Sequence, residues 1–266
     1  MILALSVGWG FAVAAGAFAS YGILVLAKRH LSPRAMRMML FAAWVLHGLM
    51  LAEGLLGEPP RFGFAPALSM TVWLALTVYA IESRLFPQLQ AHWALAGLGS
   101  AAVVLTLLFP GTSYHMVPSP WLPLHWALGI ASYGLFAAAV VHGWLMTRSE
   151  RSIRLAAQSD AGVPLLTLER LTFRFVEAGF ILLSATLLVG WVFAEQLYGP
   201  GLAWKWNHKT IFSVLAWLTF AGLLVGRAKL GWRGLKAVRV LYLGSGLLLL
   251  GYAGSRFVLE VILKRV

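Results

Sequence analysis

The chain has 266 residues, of which 60% are hydrophobic and 11% charged, with a mean hydropathy of +0.81; that leaves too little polar surface to coat a water-soluble globule. A net charge of +12 does not point to nucleic acid, because the Lys and Arg residues fall in short stretches between apolar runs, the placement that orients a protein in a bilayer. With no cysteine, a disulfide framework, a thiolate metal site, a C-x-x-C redox pair and C-x-x-C-H attachment of a prosthetic group are all excluded.

Crossing roughly 30 Å of hydrocarbon takes about 20 apolar residues in a helix, the element that satisfies its own backbone hydrogen bonds in lipid. Eight segments qualify, near 2–27, 37–56, 66–82, 91–109, 122–147, 172–197, 208–227 and 237–262, and the third is the shortest. The expected fold is therefore an all-α polytopic bundle of about eight transmembrane helices, forming one transmembrane domain over 1–266. The first segment lacks a basic leader and a small-residue cleavage site, so it reads as a retained span and not a signal peptide.

Basic residues gather in alternate connections. Those after spans one, three, five and seven hold most of the 21 Lys and Arg residues, among them Arg34, Arg84, Arg151 and Lys229. The positive-inside rule makes these loops cytoplasmic and places both termini outside. In the longest of them, Pro164 stops any helix, and Thr167 followed by Glu169 resembles a new helix start leading into span six.

On the outer side, PSPWLPLHWALGIASYGLF (118–136) enters span five with His125, Gly129, Ser132 and Phe136 along one helical stripe. An imidazole just inside the interface calls for a partner, either a neighbouring helix or a bound cofactor. The outer loop before span seven, YGPGLAWKWNHKTIFSVLAW (198–217), groups Trp204, Lys205, Trp206, His208 and Lys209 beside a Gly-Pro-Gly turn. An interfacial tryptophan belt is the plain reading; flat apolar faces, an imidazole and cations together also suit the edge of a haem.

These two stretches carry a resemblance. The segment from Trp204, with Trp206, Lys209 and Trp217, resembles the tryptophan-rich motif of the CcsA/CcmC cytochrome c assembly proteins. The His125–Phe136 segment is similar to that family's H-x(6)-S-Y-x-x-F signature. GWRG at 231–234 is similar to the smaller YpjD/HemX-like branch. Asn207 stands where the motif usually has Asp, His208 where Pro is common, and Arg227 near a position often held by histidine. The resemblance implies a non-enzymatic, haem-handling protein of the bacterial inner membrane that binds haem b noncovalently near its outer face. Its partners would be the lipid bilayer, haem, and other membrane proteins or an apocytochrome. The alternative is a regulatory or scaffold membrane subunit that keeps the fold without transporting haem.

The resemblance makes His125 an axial ligand. Depth ranks the other histidines: at 1.5 Å per residue His47 lies roughly 13 Å inside span two, whereas His125 is about 4 to 5 Å inside span five, so His208 is the more natural second ligand. His115 is the next candidate. His47 belongs to a separate, deeper metal site or is a structural histidine bonded to another helix. Trp204 and Trp206 would form the apolar platform, and Lys205, Lys209 or Arg256 would meet the propionates. Arg256 also has Glu260 at i+4 for an ion pair, with Glu53 as a competing partner. His30, His92 and His142 fall near the cytoplasmic interface and receive no role.

Overall fold

The computed structural model describes residues 2–27, 30–57, 60–85, 92–113, 121–154, 164–198 and 206–263. The described residues form an all-α bundle with one two-residue ribbon. The helices are α1 (Ile2–Leu26), α2 (Pro33–Leu56), α3 (Phe64–Leu85), α4 (His92–Leu108), α5 (Trp121–Arg154), α6 (Leu165–Val192), the short α7 (Ala194–Tyr198), α8 (His208–Leu230) and α9 (Gly234–Leu249), which runs on to Ile262 through wider turns. Seven of these helices are long and apolar enough to cross a membrane. The chain is a multi-pass membrane protein whose surroundings include the lipid bilayer.

The short helix is α4, with 17 residues, and not the third, which extends to 22. At 1.5 Å per residue α4 spans about 26 Å, a little under the hydrocarbon thickness. It nonetheless returns the chain from one end of the bundle to the other. Strands β1 (Arg61–Phe62) and β2 (Thr112–Ser113) pair antiparallel, Arg61 opposite Ser113 and Phe62 opposite Thr112, which joins the start of α3 to the end of α4. Gly111 makes this possible: its φ is +81°, and a Cβ there would meet the Phe62 carbonyl carbon at 2.7 Å.

Helix ends follow local chemistry. Ser32 caps α2, accepting from the Ala35 N–H, and Pro33 fills the first turn, where no amide donor is needed. Asn207 caps α8, its carbonyl oxygen accepting from both the N–H and the hydroxyl of Thr210. Asn serves here as well as the Asp of the resembled motif would, because both present an oxygen to the orphan amides. Gly231, at φ +64°, ends α8, and both it and Trp232 donate to the Gly226 carbonyl. The GWRG signature is thus a helix stop. Span six begins at Leu165, directly after Pro164, earlier than Thr167; α5 continues past the expected end near 147 to Arg154.

Two cores share α5 as a spine. One gathers Val13, Ala17, Tyr21, Ala43, Leu76, Val103 and Met146 from α1 to α5. The other gathers Phe136, Val176, Phe220, Leu223 and Leu241 from α5, α6, α8 and α9. In the second, Phe136 and Phe220 stack at 3.8 Å, and each ring fills the space left by a glycine, Gly179 and Gly244 respectively. In the first, Tyr21 lies across Gly99 so closely that a Cβ there would come within 2.7 Å of its ring. Gly99→Ala should therefore displace Tyr21 and lower stability by about 1 to 3 kcal/mol, an overpacking cost that unfolding in mixed micelles would measure.

Candidate functional site

The N-termini of α3, α5 and α8 meet the C-terminal parts of α6 and α9 around a cavity of about 480 Å³. Its wall is mainly apolar and aromatic, with Leu183, Leu187, Trp126, Tyr133 and Tyr252. Its polar groups include those of His125, Thr186, Asn207, Lys209, Thr210 and Ser213. The β1–β2 ribbon closes one side: Phe62 stacks on Trp126 at 5.1 Å and tilts against Tyr252 at 5.9 Å.

His125 is half-buried on the first turns of α5; its Nδ1 is shut off from solvent without an aligned hydrogen bond, and the Thr186 backbone carbonyl on α6 lies within reach of the ring. A buried imidazole nitrogen left unpaired costs free energy unless something binds it. Across the cavity, Lys209 extends from the first turn of α8, with its ammonium 5.1 Å above the Tyr252 ring. Among the described residues no carboxylate lies within ion-pair distance of Lys209, so the ring quadrupole is its nearest compensation. The pocket thus has one imidazole, one cation that meets no carboxylate among the described residues, and flat apolar walls. Those groups fit an amphipathic anion with a metal centre, and they fit haem.

The remaining expected contacts divide. His208 and Trp206 sit beside the cavity but do not line it; His208 is exposed, and Trp206 is 67% exposed. Arg256 is likewise outside the lining, with Nη1 3.9 Å from Glu260 Oε1, the i+4 pair anticipated from sequence. Glu53 instead turns toward α1, where a Cβ on Gly10 would lie 2.5 Å from its carboxylate. Trp204, Lys205 and His115 lie outside the described residues. Trp217 is occupied by packing, since Nε1 donates to Ser184 Oγ at 2.8 Å and the ring stacks on Phe180.

His47 lies in the other core, with no exposed surface. Its Nδ1 is 3.2 Å from Tyr21 Oη and its Nε2 is 2.7 Å from Ser69 Oγ, so α1, α2 and α3 are tied through one imidazole. Both nitrogens are engaged, as the structural alternative for this histidine requires; metal binding there would first have to break one of these bonds. Arg227 is also tied: Nη1 meets Glu169 Oε1 at 2.8 Å and the guanidinium lies 3.6 Å over the Phe173 ring, joining α8 to α6.

One polar pair escaped the sequence reading. His142, given no role, and Glu82, near the end of α3, are 4% and 6% exposed, with Nε2 3.0 Å from Oε2. His142 Nδ1 donates to the Ala138 carbonyl at 2.8 Å. The approach is close, but neither group meets hydrogen-bond alignment, so the contact is electrostatic in character. The available signal was an acidic residue next to an apolar run, which is rarely left unpaired in a span.

The chain matches the family described as cytochrome C assembly protein over residues 33–263. It is 28% identical over 213 residues to an uncharacterized 28.8 kDa protein in a nifR3-like 5′ region of Azospirillum brasilense, covering 76% of each chain. It is 26% identical over 198 residues to the inner membrane protein YpjD of Escherichia coli K12, covering 73% of each. To the cytochrome c biogenesis protein CcsA of Prochlorococcus marinus it is 23% identical over 237 residues, covering 76% of this chain and 73% of the relative. No solved structure matches. With the matched region running from the start of α2 through the cavity to the end of α9, the chain belongs to the cytochrome c assembly protein family.

Proposed function

We propose that this chain is a haem-handling protein that binds haem b noncovalently in the α3–α5–α6–α8–α9 cavity and presents it to a partner, without turning over a substrate. The observation that carries the reading is the meeting, in one apolar cavity, of the His125 imidazole with the Lys209 ammonium, which no carboxylate meets among the described residues. His125 would supply the axial nitrogen and Lys209 would receive a propionate, while Trp126 and Tyr252 offer flat faces beside the ring. Bound there, the iron would supply its ligand-exchange and redox chemistry. The protein's own part is to exclude water, orient the disc and neutralise one carboxylate.

The location proposed is the bacterial inner membrane, which the printed name of the YpjD relative supports. Counting α4 as a pass gives eight crossings with both termini on one side. The cavity lies at the end opposite the basic connections, hence at the outer face by the positive-inside rule. An apocytochrome or another assembly protein is the partner the family suggests.

The test is an absorption spectrum of the protein purified from its native membrane, followed by titration with haem. A Soret band that saturates at one haem per chain is expected. Colourless protein that leaves the spectrum of added haem unchanged would overturn the reading. The scaffold alternative would then gain, since Arg227 and Trp217, both in the resembled region, serve helix packing.

A further inference from the structure

The cavity wall has one irregular stretch. α9 departs from α-helical geometry at Leu250–Gly254, where its turns widen to the π form, and such turns within long helices often mark functional positions. Just before them, the Leu248 carbonyl accepts a 2.7 Å hydrogen bond from the Tyr133 hydroxyl on α5. In a bilayer no water is at hand to take that donor's place. The widened segment then lies against the first turns of α8: a Cβ on Gly251 would be 3.3 Å from Phe212 Cβ and 3.5 Å from the Lys209 carbonyl. The next residue, Tyr252, carries the ring that faces the Lys209 ammonium.

We propose that Tyr133 is a positioning residue for the cationic side of the cavity: by holding the Leu248 carbonyl it fixes the widened turn, which sets Tyr252 beneath Lys209 and keeps the ammonium directed at an anionic group of the ligand. Tyr133 is matched to this task because its hydroxyl reaches from one wall of the cavity to the backbone of another. A phenylalanine would fill the same volume and keep the α5 packing, but it would leave the turn unpinned. The inference relies on the haem reading only for the identity of the anion, a propionate.

Two readouts on Tyr133→Phe test it. The first needs no ligand: Lys209 acylation of the intact protein in detergent by a small succinimidyl ester, quantified site by site by mass spectrometry of its peptides. Wild type should react slowly at Lys209 and Tyr133→Phe several-fold faster, with other lysines unchanged. The second compares haem with haem dimethyl ester, which lacks the carboxylates. Wild type should prefer the free acid, and Tyr133→Phe should lose that preference while keeping the Soret position set by His125. Tyr252→Leu, which leaves Tyr133 in place, should reproduce the faster acylation and serves if Tyr133→Phe does not fold. A Tyr133→Phe protein with wild-type Lys209 reactivity and only a lowered unfolding midpoint would overturn the proposal. If wild type binds no haem, the acylation comparison still decides it, so the two readings fail separately.

Discussion

His125→Ala is expected to weaken haem binding by more than the ~10- to 100-fold that substitution of residues behind a metal ligand costs, because here the ligand itself is lost. A hundredfold loss corresponds to about 2.8 kcal/mol. Among the described residues lining the cavity, His125 is the only imidazole. Its Nδ1 is sealed from water and makes no aligned hydrogen bond. The alanine variant should have a shifted, weakened Soret band that free imidazole restores by entering the vacated space. His208→Ala should stay within about twofold of wild type, since His208 is exposed and does not line the cavity. Equilibrium haem titration of both variants tests the assignment. If His208→Ala loses the band while His125→Ala keeps it, the ligand is on the rim and the proposed site is wrong.

That contrast marks how far the sequence reached. The all-α membrane bundle was legible because a bilayer demands about 20 apolar residues per crossing; of the eight expected spans seven are long and apolar enough among the described residues, α4 is the short helix, and α3 and α5 run past their expected ends. The candidate site was legible in part, since His125 and Lys209, both named from sequence, line the cavity from the first turns of α5 and α8. Its walls were not. Tyr252 and Phe62 reach the cavity only because α9 widens and because β1 pairs with β2 across about fifty intervening residues. No local periodicity encodes either event. Depth along a helix set His47 apart from the other candidate histidines, and its partners Tyr21 and Ser69 come from two other helices and depend on how those helices are rotated.

The same limit explains the misreading of His142, which was placed by depth at an interface where water would solvate it. The bundle instead seals it against α3 and opposite Glu82, with Phe175 tilted 5.2 Å away. An isolated ionisable group in such a place is costly, so removing either partner should destabilise the fold. Breaking a buried pair typically costs 3 to 5 kcal/mol. Here the cost falls below that range, about 2 to 3 kcal/mol, because the poor alignment leaves the pair less to lose. Glu82→Leu should therefore lose about that much, as should His142→Leu. The double variant should recover most of the loss, since two leucines fill the space without an orphaned polar atom. Reversible unfolding in mixed micelles would measure all three. The expected result is a double variant that loses far less than the sum of the two single losses. Losses that simply add would mean that each side chain contributes through packing alone and that the 3.0 Å approach carries no energy.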